Sequence, residues 1–215
     1  MFDSLKKRQR EERSNYPESL GLRVHRALSW LNRSERADDI DAKFVFLWIS
    51  FNAAYANEFL EVARLSERKS FNNFISKLVD LDNKGKLHSL VWDNFSNSIR
   101  ILLDNPYISS DFWEMQSGNI AKAEFELRFQ ADKKRALMSL ASGNTSSVLV
   151  HVLARIYMLR NQVFHGGSTW NGGVNREQLR DATRLMEVLV PIIISIMMDH
   201  PNSLWGDPIY PVVKF

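Results

Sequence analysis

The sequence predicts an all-α protein, and three observations predict it. Apolar residues recur three and four positions apart over long stretches, the period of one face of a helix. No segment alternates apolar and polar residues in the way a half-buried strand does. Glycine and proline, the residues that punctuate turns, number only 9 and 6 in 215.

Four long helices follow in order. The first spans roughly residues 17–32 and lines up Leu20, Val24, Ala27, Leu28 and Leu31 on one face. The second comes after Asp38 and Asp39, whose carboxylates suit the positive end of a helix. It carries the run 44–49 (Phe-Val-Phe-Leu-Trp-Ile), then Phe51, Ala53, Ala54 and Tyr55. A helix apolar on nearly every side is expected to be central and covered all round, with Asn52 as its polar exception. The third begins near Thr145, Ser146 or Ser147, after the breaker Gly143-Asn144. Its stripe is Leu149, Val152, Ile156, Leu159 and Val163. The fourth opens at Asn175, with Glu177 in its first turn, and continues through Leu179, Ala182, Met186, Leu189, Ile193 and Ile196. Pro191 is expected to kink it or to shift its hydrogen bonding.

The whole chain reads as one domain: a bundle at about 17–63 and 145–200, with a helical insertion at about 65–142. The insertion holds short amphipathic pieces, such as Phe71, Phe74, Ile75 and Leu78, and a polar helix near 120–140. Residues 201–215, with Pro208 and Pro211, read as an extended tail.

Composition narrows the chemistry. With no cysteine, thiol nucleophiles, disulfides and cysteine-based zinc sites are excluded, which fits a reducing compartment. Residues 1–8 lack the apolar run of a signal peptide. The greasiest stretch, 188–198, is too short to span a bilayer. A cytoplasmic location with no membrane partner is expected. Net charge is +3, from 28 Lys+Arg against 25 Asp+Glu, which permits nucleic-acid binding through a local patch without demanding it.

The most informative constellation lies at the end of the third helix, Arg160-Asn161-Gln162-Val163-Phe164-His165. At about 100° per residue, Arg160 falls about 40° from Ile156, inside the apolar stripe, while Arg155 and Gln162 point well off it. An arginine on a packing face is costly unless an anion or a partner surface meets it. His165 lands on the opposite side if the helix continues. Gly166-Gly167 follow at once, however, and glycine readily ends a helix in a left-handed conformation. A stop near Phe164 leaves His165 free to turn toward Arg160. Of the five histidines, only His165 follows an arginine by four to six residues. Such a pair suits RNA cleavage without a metal. Histidine moves a proton at the 2′-hydroxyl or the leaving oxygen, and arginine holds the phosphate as charge builds on it. Asn161 suits a supporting role, orienting either partner or holding a phosphate oxygen. The plainer reading of the same residues pairs Arg160 with a buried carboxylate such as Asp41 and ties His165 to a carbonyl at the helix end.

The segment Leu159-Arg160-Asn161-Gln162-Val163-Phe164-His165-Gly166-Gly167 resembles the R-[polar]-x(3–5)-H signature of HEPN domains. The tract Trp48-Ile49-Ser50-Phe51-Asn52-Ala53-Ala54-Tyr55 resembles the second helix of Apea-like HEPN members. The resemblance covers the bundle and says little about the middle. It implies an up-and-down four-helix bundle with the motif at the end of the third helix. It also implies a homodimer in which two motifs face one another. The activity implied is metal-independent endoribonuclease, with Arg160 and His165 catalytic, Asn161 supporting them, and neither metal nor cofactor. RNA is the implied substrate, toxin or defence effector the implied role, and an antitoxin or defence-system protein an implied partner. The tyrosine that one class of antitoxin modifies, two residues after the histidine, is Gly167 here. The alternative is a HEPN module without catalysis, which binds nucleotide, RNA or protein.

Other residues weigh less. His25, His88, His151 and His200 lack metal-ligand spacing, so surface or satisfied core histidines are expected. Asp38, Asp39 and Asp41 are explained by a helix start more simply than by magnesium. The loop Ser168-Thr169-Trp170-Asn171, between Gly166-Gly167 and Gly172-Gly173, suits an ordinary turn, or a base stacked on Trp170. Lys6-Lys7-Arg8 and Lys133-Lys134-Arg135 read as solvated helix faces that RNA backbone is able to touch.

Overall fold

The computed structural model describes residues 1–55, 64–173, 175–208 and 210, the side chains of residues 64–68 excepted. Every regular element among them is helical. In chain order these are α1 (Phe2–Glu12), α2 (Glu18–Glu35), α3 (Ile40–Tyr55), α4 (Arg64–Leu81), α5 (Lys86–Ser89) and α6 (Ser96–Asp104). α7 (Ser110–Gln116), α8 (Lys122–Ala141), α9 (Thr145–Phe164) and α10 (Arg176–Asp199) follow. Short 3-10 turns at Arg13–Asn15 and Pro106–Ile108 and a π turn at Leu90–Asn94 link some of them.

The chain divides into two units, Met1–Lys86 with Thr183–Phe215, and Leu87–Ala182. The first is built on the α2/α3 hairpin. α2 buries Leu20, Val24, Ala27, Leu28 and Leu31, the stripe its spacing predicts. α3 starts where Asp39 Oδ1 accepts the Ala42 N–H at 2.8 Å, so the aspartate is spent on capping. Every residue of α3 is buried or half-buried, as its all-round apolarity requires. Ser50 Oγ, deep in the hairpin, donates to the Ala27 carbonyl at 2.7 Å.

Arg23 is wholly buried in this unit, at 0% exposure. Its guanidinium donates to the carbonyls of Ala54, Gly206 and Asp207 at 2.9, 3.1 and 2.8 Å. Burial pushes its pKa down to about 10, with Asp207 opposing. Arg23 thereby clamps residues 206–207 to the end of α3. Trp205 is buried beneath the Lys77 ammonium, 5.0 Å away, and donates its Nε1–H to the His200 carbonyl. Residues 201–208 hold turns and irregular backbone; the rest of the expected tail, apart from Tyr210, lies outside the described residues.

α1 is an element the sequence pattern does not announce. It has no apolar stripe, and its buried residue is Gln9, which accepts from Lys6 Nζ at 2.9 Å. Arg8 anchors it by ion pairs to Glu12 at 2.7 Å and to Asp199 at 2.8 Å. α10 continues through Pro191, which forfeits one backbone donor there without ending the helix.

The second unit packs α9 against α6, α8 and the Pro106–Ile108 turn, and α7 against α8. α9 is capped one residue earlier than its serines and threonine suggest: Asn144 Oδ1 accepts the Ser147 N–H at 2.9 Å. Leu149, Val152, Ile156 and Leu159 are buried as their spacing predicts, and Val163 is half-buried. Arg155 departs from expectation. Helical counting places it off the stripe, yet it is only 5% exposed, because α8 covers that side of α9 as well.

Candidate functional site

Arg155 is buried with a counter-ion. Its Nη2 lies 2.9 Å from Asp132 Oδ2 on α8, and its guanidinium sits 5.3 Å over the Phe129 ring. His151, one turn earlier, brings Nδ1 to 3.4 Å from Asp132 Oδ1. The His151 hydrogen bond, followed by the charge of Arg155, holds the Asp132 carboxyl down to about 2 against the opposing pull of burial. This cluster is closed and neutralised, a brace between α8 and α9.

Arg160 lies five residues further on and lacks such a counter-ion. No carboxylate forms an ion pair with it among the described residues. Its Nη1 donates to Asn161 Oδ1 at 2.9 Å, which joins the two motif residues. Its Nε is buried with no hydrogen-bond partner. The guanidinium lies between two rings, 4.5 Å from the centroid of Phe164 and 5.9 Å from that of Tyr157. These rings stand at i+4 and i−3, the positions adjacent to Arg160 on a helix surface. They are themselves open, Tyr157 44% and Phe164 38% exposed. Aromatic faces attract a cation but do not cancel its charge, so the positive fork keeps unused donors. Sequence reading passed over both rings. Their signal is there, as aromatic residues three before and four after an arginine.

The helix stops where the glycines require. The His165 N–H donates to Asn161 O at 3.0 Å, Gly166 N–H to Val163 O at 3.4 Å, and Gly167 N–H to Gln162 O at 2.8 Å. Gly166 is left-handed, with φ +71. This is a Schellman motif, and only glycine adopts that conformation without strain. His165 itself caps the helix with φ −96 and ψ 13, and its side chain is exposed. Five helical steps set it about 140° around the axis from Arg160. No side-chain hydrogen bond joins His165 to Arg160 or Asn161 within the chain, among the described residues. The structure therefore brings Arg160 and Asn161 together and leaves His165 beside them, facing out.

Gln162 fixes the helix end in place. Its Nε2 donates to the Tyr107 carbonyl at 2.6 Å, and its Oε1 accepts from Asn175 Nδ2 at 2.7 Å. Trp113 Nε1 donates to the same Tyr107 carbonyl at 2.8 Å. Asn175 adopts φ +57, a left-handed conformation that asparagine tolerates better than most residues. Trp170, on the loop after the glycines, is 75% exposed.

The other candidates resolve simply. His200 bonds the Leu81 carbonyl at 2.9 Å, while His25 and His88 are exposed. Among the described residues no group of three or more His, Cys, Asp or Glu is arranged to hold a metal ion. None of the described helices is long and apolar enough to cross a membrane. Lys133 pairs with Asp104 at 2.7 Å and Arg135 with Asp132 at 3.3 Å. No family model, curated protein or solved structure matches the chain.

Proposed function

We propose that this chain is a metal-independent endoribonuclease of HEPN type, with Arg160 and His165 catalytic and Asn161 supporting them. The observation that carries the reading is the uncompensated Arg160. Among the described residues its charge has no carboxylate partner and its Nε no acceptor, and its Nη1 bonds Asn161 of the same motif. A scissile phosphate supplies what is missing, two anionic oxygens matched to a planar fork.

In this reading the 2′-oxygen of the RNA attacks phosphorus and the bond to the 5′-oxygen breaks. His165 takes the proton from the 2′-hydroxyl or delivers one to the departing oxygen. Arg160 stabilises the charge on the non-bridging oxygens, and Asn161 keeps the guanidinium oriented. Since His165 turns about 140° away from Arg160 in one chain, the working site is composite. A homodimer of HEPN-like helical chains sets His165 of one protomer near Arg160 of the other. The open rings of Tyr157 and Phe164 are the kind of surface such a dimer covers. A toxin or defence effector, held in check by a partner protein, is the cellular role that fits this chemistry.

Purified protein is expected to cut single-stranded RNA in the presence of EDTA. Arg160→Ala and His165→Ala are each expected to lower the rate by about 100-fold or more. Equal cleavage by both variants and the parent contradicts the proposal. The same outward-facing His165 favours one second reading, a binding module without turnover. It predicts a stable dimer that retains RNA, with no cleavage, and that loses its RNA on Arg160→Ala.

A further inference from the structure

α8 has two apolar faces. One, with Phe129, Ala136 and Leu140, is buried in its unit. A second face, about 120° further round the axis, presents Ala123, Leu127, Gln130, Lys134, Leu137 and Ala141, every one of them exposed. Their spacing of four, three, four, three and four is a heptad seam, the pattern by which one helix receives another. Leu127 is 74% exposed and Leu137 42%, and Met138, flanking the seam, 62%. From Leu127 to Ala141 the seam is about 21 Å long, four helical turns. A groove of about 310 Å³ opens along it, lined by Gln130, Lys133, Lys134, Leu137, Met138 and Ala141.

Charge identifies the occupant. Lys134 stands in the middle of the seam and takes part in no ion pair among the described residues. No acidic residue lies on the seam. The acidic residues of α8 are all engaged elsewhere, Glu124 by Arg128, Glu126 by Lys122, and Asp132, two residues from Lys134, by Arg155 and Arg135. A second copy of the chain laid on this face brings only another lysine and more leucines. Two ammonium groups covered together without a counter-ion cost more than the leucines gain. RNA answers the lysine but not Leu127, Leu137 and Met138, which supply neither donors to phosphate nor rings for bases.

We propose that the α8 seam docks an acidic amphipathic helix of a partner protein, one that sets apolar residues against Leu127, Leu137 and Met138 and a carboxylate against Lys134. This inference does not depend on the ribonuclease reading.

Two synthetic peptides of about three heptads test it on the full chain. Both carry leucine at the seam positions, and they differ at one central position, glutamate in one and lysine in the other. Fluorescence anisotropy is expected to show the glutamate peptide bound at least about tenfold tighter. Lys134→Glu is expected to reverse that preference, and Leu137→Asp to weaken the glutamate peptide by about tenfold or more. Both positions are exposed, and circular dichroism checks that the variants stay helical. The proposal is overturned if neither peptide binds, if Lys134→Glu leaves the preference unchanged, or if Leu137→Asp binds like the parent. Two other results also overturn it. In sedimentation, Leu137→Asp splits a dimer of this chain, which makes a second copy the occupant. Or a short RNA displaces the glutamate peptide and loses its own affinity on Lys134→Glu.

Discussion

Arg155 and Arg160 stand five residues apart on one helix and meet opposite fates. Arg155 is deeply buried, yet Asp132 answers its charge and Phe129 covers it. Arg160 is half-buried between two open rings and, among the described residues, has an orphaned Nε and a side-chain hydrogen bond to its neighbour Asn161 alone. The first is a brace whose worth lies in stability. The second has no counter-charge among the described residues, and in the proposed function its worth lies in what it meets. Burial alone does not separate the two; the presence or absence of a counter-charge does.

The largest effect expected from breaking the comparison is at the brace. Asp132→Ala strands the Arg155 guanidinium and is expected to cost about 3 kcal/mol in denaturant unfolding. Pairing Asp132→Leu with Arg155→Met is expected to recover most of that loss, because matched apolar groups replace a matched ion pair. A double variant as unstable as the single one contradicts the assignment.

Acid sharpens the same contrast. The Asp132 carboxyl sits at about 2 in the folded chain and near 3.9 when unfolded. Its contribution is therefore complete above about pH 4 and is lost as pH falls toward 2. The stability gap between the parent and Asp132→Asn is expected to close over that window, measured by urea melts at successive pH values.

Smaller effects belong to the other end of the helix. Gly166→Ala forces a side chain into φ +71 and is expected to cost about 1 kcal/mol. Arg160→Met is expected to leave stability within about 0.5 kcal/mol of the parent, since no folded-state ion pair is lost. A loss as large as that of Asp132→Ala makes Arg160 a brace as well.

The four long helices were legible because apolar spacing is a local property. α2, α3, α9 and α10 begin within a residue or so of where caps and stripes place them. α1 escaped because its buried residue is a glutamine and its anchor, Asp199, lies near the other end of the chain. Arg155 escaped for a related reason. Helical counting gives the face a residue occupies but not what covers that face, and Asp132 is 23 residues away on another helix. The glycine stop was legible to the residue, since only the left-handed region closes a Schellman motif. The direction His165 faces was not, because either course was open to a helix ending there.

The central claim is that Arg160 and His165 act together across two protomers. Arg160→Ala and His165→Ala, each inactive alone, are to be mixed under conditions that exchange subunits, and RNA cleavage followed in EDTA. In a composite site, half the dimers are mixed and each mixed dimer holds one intact Arg160/His165 pair, so about a quarter of the parent activity returns. No recovery, in a mixture shown to contain the mixed dimer, contradicts the account.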